Sequence, residues 1–497
     1  MTEHIVVGSG PAGVAAAKAL LANNKKVLMI DVGRDLPGKK KKIAESLKRL
    51  PVREWKYACT NKSVLRKLKF DSNYSYETPG FPMRSTYAKV NASFAKGGFS
   101  TVWGAAVLPY EQQEMRDWPK IRLEPYYKKV FEFMPLSGTH DDLAKRFPLY
   151  AEPQELASSI QANKLLTHWK NRKQALTKSG FVFGRSRLAV QAYPKKEENG
   201  CVYCGLCMTG CPNNIIYSSA TTVEELKKNK NFTYRPGVFV QRVSEAKSRV
   251  RIHAISRGKN ILITGKKVFL AAGVYSSTAI MLRSKKLAKA TAKDSQYIII
   301  PGLMTTRGRK DRQHALSQLF LELKDKKLGN VHLQVYTFSD LVERGIASKL
   351  GPLFKMLKPL LRPFVERIVV IQAFLHSDIS SSLEIQLQSN GIQVTGKGAP
   401  RKRLSWLLLR HAKKLGVLPL LPFVEYGLPG QGNHSGGSFP MSDKPGSQES
   451  DTLGRCGFEN VHIVDSSIMS SIAATTITLT EMANAYRIAH EASKGRS

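Results

Sequence analysis

The stretch "HIVVGSGPAGVAAAKALLANNKKVLMID", residues 4–31, decides how the rest of the chain is read. "HIVVGSG" is a short apolar strand that runs into glycines. "PAGVAAAKALLANN" has helical composition, with Pro11 near its first turn. "KKVLMIDVG" is a second strand that ends at Asp31. Gly8, Gly10 and Gly13 stand in G-x-G-x-x-G spacing, which lets the backbone turn tightly and approach a pyrophosphate resting on the helix N-terminus. Asp31 falls where an acid binds a ribose hydroxyl. A bare structural turn is the competing reading, and the strand–turn–helix–strand context favours a dinucleotide site.

A second stretch, "CVYCGLCMTGCP" at 201–212, carries four of the six cysteines. The spacing C-x2-C-x2-C-x3-C followed by proline is that of an iron–sulfur ligand run, so Cys201, Cys204, Cys207 and Cys211 are candidate metal ligands. A [4Fe–4S] cluster is favoured over [3Fe–4S], with zinc or a set of redox-inert thiols as rivals. The fourth ligand is open among Cys211, Cys59 and Cys456.

The 497 residues make two domains a fair expectation. No apolar run reaches the roughly 18 residues of a spanning helix, and the first strand starts too early to leave room for a signal peptide. The expected location is cytoplasmic, or peripheral on the cytoplasmic face of a membrane. Two further cysteines are no disulfide framework. The net charge of +39 favours anionic partners. Its densest stretch runs from Gly38 to Lys69. Specific nucleic-acid binding is not expected, because no finger, RRM-type or helix-turn-helix pattern accompanies the charge.

A β-rich stretch spans Phe232 to Leu270. From about Gln313 to Val424, strand-like runs ("SQLFLEL", "VHLQVYTF", "SLEIQLQ") flank "GIASKLGPLFKMLKPLLRPFVERIVVIQAF". That segment reads either as a kinked helical cover over a sheet, the favoured reading, or as a basic amphipathic surface for acidic lipid. The chain closes on a strand reaching Asp465, a turn, and a helix from about Thr475 to Ala492.

These pieces, in this order, resemble the glucose–methanol–choline (GMC) flavin oxidoreductases. "VVGSGPAG…IDVG" looks like that family's FAD fingerprint, and "AKGGFSTVWGAAV" (95–107) like its second glycine-rich flavin segment. "VFLAAGVYSSTAIML" (268–282) resembles its "LAAG" signature, "NHSGGSFPM" (433–441) its H-x-x-G segment, and "VHIVDSSIM" the strand that follows. The resemblance implies an α/β fold with a Rossmann-type FAD-binding domain from 1–110, 212–300 and 425–497. It adds a mixed α+β substrate domain with an antiparallel sheet from 111–200 and 301–424, and leaves 201–212 as the cysteine motif. It implies FAD contacts from Gly8, Gly10, Gly13, Asp31, Gly97, Gly98, Ser100, Trp103, Val240, Ala272, Gly273, Asp465 and Thr475.

The implied chemistry is oxidation of an alcohol, such as a sugar or glycoside hydroxyl, by hydride transfer to flavin N5. His434 would take the hydroxyl proton, since imidazole titrates near neutral pH. The family's second His or Asn falls near Thr475 and Thr476, a departure that puts Thr476 in the catalytic place. His376, beside Asp378, reads as a hydrogen-bonded surface cluster. A cluster next to a flavin implies a one-electron relay to an external cytochrome, quinone or ferredoxin-like acceptor. The alternative is a membrane-associated flavin/iron–sulfur oxidoreductase that exchanges electrons with a quinone.

Overall fold

The computed structural model describes residues 3–55, 67–194, 199–246, 249–308, 311–398, 400 and 402–494, apart from the side chains at 349, 350, 353 and 355. Its first layer is a parallel five-stranded sheet. Strand β1 (His4–Val7) pairs on one side with β2 (Val27–Ile30), which pairs in turn with Phe232–Arg235. On the other side β1 pairs with Lys267–Leu270, which pairs with Val461–Ile463. The inner strands His4–Val7, Val27–Ile30 and Lys267–Leu270 are mostly apolar and buried, as a parallel sheet covered on both faces requires. Between β1 and β2 runs α1 (Pro11–Ala22), with proline in its first turn and alanine at half of its positions. Alanine carries the highest helix propensity, and its small side chain lets α1 lie close against the last helix, Thr478–Lys494. Asn23 ties the two together by donating to the His490 carbonyl at 3.1 Å and to Ser493 at 2.7 Å.

The middle of the chain supplies the other sheets. Three antiparallel strands, Val238–Ala246, Arg249–Ser256 and Lys259–Gly265, follow each other directly. A larger antiparallel sheet runs in the order Val417–Pro419, Tyr297–Met304, Ile368–Leu375, Gly329–Tyr336, Leu319–Asp325 and Phe181–Arg185, with Glu425–Tyr426 on its margin. A five-stranded mixed sheet joins Ser435–Gly436, Lys289–Asp294, Ser382–Leu387, Ile392–Lys397 and Met83–Thr86. This last sheet draws on segments assigned to both parts of the expected division.

Two local expectations change. The segment read as one kinked helical cover is two helices, Asp340–Leu350 and Pro352–Val365, and then a strand. "IVVIQAFL" becomes that strand because neighbours on both sides complete its ladder, and its β-branched side chains suit a pleated surface. The last helix starts at Thr478, three residues later than expected. Among the described residues no helix is long and apolar enough to cross a membrane.

Candidate active site

The turn after β1 is built for close approach. Gly8 has φ +102°, and a Cβ there would stand 2.3 Å from the Ala271 carbonyl oxygen. A Cβ on Gly13 would stand 2.0 Å from the Gly8 oxygen, so α1 can pack against the turn only through glycine. Gly10 meets nothing within 4 Å and faces open space, and as N-cap it offers α1 no side-chain hydrogen bond. The first N–H groups of a 12-residue helix are therefore available to a ligand.

Asp31 ends β2 beside this turn. Burial lifts its carboxyl to about 6 against hydrogen bonds from Ser9 and from Tyr234, whose hydroxyl donates at 3.3 Å. The Gly97 N–H donates to the Ser9 hydroxyl at 2.9 Å, which links the second glycine-rich segment to the first. Gly97 has φ +88° and packs against Ala220. Gly98, by contrast, reaches the cavity. Ser100 donates to the Gly97 carbonyl at 2.5 Å and accepts from the Ser219 N–H at 2.9 Å, while the Trp103 indole donates to the Tyr217 carbonyl at 2.8 Å.

The two distant C-terminal segments close the other side. Asp465 accepts from the Gly273 N–H at 2.8 Å, from the Ser277 hydroxyl, and from the Ser467 N–H at 3.0 Å. That fastens the "LAAG" turn to the last strand. Together these pieces enclose a cavity of about 480 Å³. Gly8, Gly10, Asp31, Gly98, Ser100, Trp103, Val240, Ala272, Gly273 and Asp465 line it, as do His434 and Thr476. Gly13, Gly97 and Thr475 stand behind its wall. The Thr475 hydroxyl is buried without a hydrogen-bond partner, and the Thr476 hydroxyl accepts from the Leu108 N–H at 3.3 Å.

His434 owes its place to a stapled loop. Asn433 before it adopts φ +56°, a left-handed conformation that asparagine tolerates. Asp294 holds both flanks, accepting from the Gly430 N–H at 2.9 Å and the Ser435 hydroxyl at 2.8 Å. The imidazole stacks on Phe374 with centroids 4.6 Å apart and planes at 25°. Burial first, then the nearby His332 and Lys67, lower its pKa to about 3. The ring is thus neutral at physiological pH and able to accept a proton.

Sequence reasoning missed Gln334 and Tyr336, which line the cavity, and the fully buried His332 beside them. His332, Gln334 and Tyr336 alternate along one strand. Tyr336 donates to Gln334 at 3.0 Å, Gln334 contacts the His332 Nε2 at 3.1 Å, and the His332 Nδ1 meets buried Glu322 at 2.6 Å. Polar residues at every second position of an otherwise apolar run were the available signal. Lys67, also on the wall, was hidden inside a run of basic residues. His376 lies away from the cavity. Its Nδ1 accepts from the Asp378 N–H at 3.2 Å, and Asp378 pairs with Arg116.

The iron–sulfur expectation is corrected by the structure. Among the described residues no group of three or more His, Cys, Asp or Glu side chains is arranged to hold a metal ion. Cys201, Cys204, Cys207 and Cys211 border a small space with Trp55, Leu156, Val190 and Leu316. Burial raises all four thiols, Cys201 to about 11 and Cys207 well above the ordinary range. Protonated thiols in apolar surroundings pack as small hydrophobes. Cys201, Cys207 and Cys211 accordingly lie against the main core, and Cys204 lies against the satellite core of Trp55, Phe70 and Leu206. Cys456 is buried elsewhere, taking a contact from the Lys285 Nζ at 3.4 Å, and Cys59 lies outside the described residues. The metal assignment, the cluster as cofactor, the one-electron relay and the membrane flavin/iron–sulfur alternative all fall with it.

Residues 2–91 match the family model described as pyridine nucleotide-disulphide oxidoreductase, and residues 82–290 match the one described as GMC oxidoreductase. No curated protein sequence matches the chain. Among solved structures, a pyridoxine 4-oxidase from Mesorbium loti superposes with a TM-score of 0.64 at 12% identity, covering 100% of both chains. A mutant formate oxidase of Aspergillus oryzae, altered in FAD modification, gives a TM-score of 0.63 at 14% identity, covering 98% of this chain and 97% of that one. At these identities the likeness is one of fold. The chain has an α/β fold with a Rossmann-like FAD-binding region and a mixed-sheet domain, consistent with the architecture behind both family models.

Proposed function

We propose that the protein is an FAD-dependent oxidoreductase of the GMC type that oxidises the CH–OH group of a small-molecule alcohol. The division into a discontinuous FAD-binding part and a substrate part belongs to the same reading. The observation that carries it is the position of His434: a neutral imidazole on the wall of the same cavity that the glycine turn and Asp31 border. The cradle fits a dinucleotide. The turn excludes any Cβ at Gly8, leaves open space at Gly10, and sets a half-buried acid just after β2. FAD, when bound, supplies the hydride acceptor.

The chain's own residues would do the rest. The α1 N-terminus and Gly10 would hold the pyrophosphate, and Asp31 a ribose hydroxyl. As hydride leaves the carbinol carbon, the hydroxyl proton must go to a base, and the His434 imidazole is free to take it. Phe374 and Asp294 fix the ring and its loop, so the base does not have to be oriented during the reaction. Pyridoxine 4-oxidase acts on an alcohol by name, in keeping with a CH–OH substrate.

The reading predicts an unusual pH profile. An unperturbed histidine base would lose activity below about pH 6.5. With the folded pKa lowered to about 3, His434 stays deprotonated well below that point. The rate of anaerobic flavin reduction at subsaturating alcohol is expected to stay flat from pH 7 down to pH 5. An inflection near 6.5 that disappears in a His434 variant would count against this.

A further inference from the structure

Lys67 sits half-buried on the cavity wall. Its Nζ lies 2.8 Å from the point that a Cβ on Gly104 would occupy, and the Tyr336 hydroxyl lies 3.7 Å from that same point. Gly104 therefore leaves open the space that ammonium and phenol share. Lys67 is also close enough to His434 to act on its charge.

No carboxylate among the described residues balances this ammonium. The titratable neighbour that acts on it is Cys207, a thiol that burial pushes well above the ordinary range. The acids that line the cavity are engaged elsewhere. Asp31 is held by Ser9 and Tyr234, Asp465 by Gly273 and Ser277, and Glu481 accepts from the Ser466 N–H at 2.9 Å. Glu425 acts on Tyr297. A cation drawn out of water without a partner is costly, and an anionic ligand relieves that cost.

We propose that the substrate is an alcohol that also carries an anionic group, a carboxylate or a phosphate, which pairs with the Lys67 ammonium while the carbinol faces His434. The inference rests on the reading of the cavity as an alcohol-oxidising site and names the chemistry of its substrate. Burial lowers the Lys67 pKa to about 8, so the pairing is present at pH 7 and lost at pH 9.5. Over that interval His434 stays neutral, while Glu481, a cavity acid that burial lifts to about 8, loses its proton, so a Lys67→Arg variant that keeps its charge is needed to tell the ammonium from Glu481.

The test is calorimetric titration of the FAD-loaded protein with acetate and with inorganic phosphate, which needs no turnover. The expected result is saturable binding at pH 7 that weakens at least ten-fold in Lys67→Met. Raising the pH to 9.5 should weaken the native protein to a similar extent, but not Lys67→Arg, whose guanidinium keeps its charge. Equal binding in all three proteins would overturn the proposal. The anion bound more tightly tells carboxylate from phosphate. Flavin reduction by a 2-hydroxycarboxylate and by the matching uncharged diol then separates the two levels of argument. A preference for the acid that vanishes in Lys67→Met supports the inference. Equal rates for both substrates, lowered by the same factor in the variant, would put Lys67 on the carbinol oxygen and overturn it. If no alcohol reduces the flavin while anion binding still depends on Lys67, the alcohol-oxidising reading fails and the anion site stands.

Discussion

Replacing His434 with alanine is expected to slow flavin reduction by substrate about 1,000-fold, within the range that a positioned base contributes, and to leave FAD bound. The two effects separate because His434 belongs to a different part of the cavity wall from the glycine turn. Its ring rests on Phe374, a residue of the large antiparallel sheet, and its loop is held by Asp294. Neither contact involves Gly8, Gly10 or Asp31. Stopped-flow measurement of flavin bleaching without oxygen, together with the flavin-to-protein ratio, reads both quantities. Bleaching within a few-fold of the native rate would remove His434 from the mechanism. Loss of flavin instead would make it part of the cofactor cradle. Asp294→Asn offers a graded companion. It keeps the side-chain shape but replaces a carboxyl that burial lifts to about 7, changing the group that holds both flanks of the loop, so it should slow reduction less than the alanine variant.

How far the site could be read in advance follows from the distance over which each feature is encoded. The glycine turn, the two strands and the helix between them lie within 28 consecutive residues, and their geometry depends on local spacing, so residues 4–31 declared them. His434 was legible for a different reason: it sits in a short pattern of small residues placed in order after the others. The cysteine run shows where local spacing misleads. Its C-x2-C-x2-C-x3-C interval says how the thiols are strung. What they face is decided by Trp55, Leu156 and Leu316, which arrive from distant parts of the chain. The substrate wall was silent for the same reason. Lys67, Gln334, Tyr336 and Phe374 come from three separate segments, and only the pairing of the strands Gly329–Tyr336 and Ile368–Leu375 brings the last three onto one sheet. The alternation of His332, Gln334 and Tyr336 was present in the chain, but alternation alone does not say whether a polar face looks at water or into a cavity.

Gly8→Ala and Gly10→Ala are expected to fail in different ways, and the difference tests the cradle directly. At Gly8 the backbone has φ +102°, where an L side chain is strained, and the new methyl would stand 2.3 Å from the Ala271 oxygen. The strain alone is of order 1–3 kcal/mol, and the overlap adds to it because the obstacle is backbone at the end of a central strand. The variant should therefore melt several degrees lower and be isolated with little or no flavin. Gly10 is the contrasting case. Its φ of −65° suits alanine, and a Cβ there meets no protein atom within 4 Å. The protein without cofactor should tolerate that methyl with no measurable change in melting temperature. Yet the space it fills is where the pyrophosphate must approach the first N–H groups of α1. The expected result is a native-like melting curve for the apoprotein together with at least ten-fold weaker FAD binding, read by fluorescence titration. If Gly10→Ala bound FAD as tightly as the native chain, the phosphates would have to lie elsewhere. The open space at Gly10 would then be a feature of the turn alone.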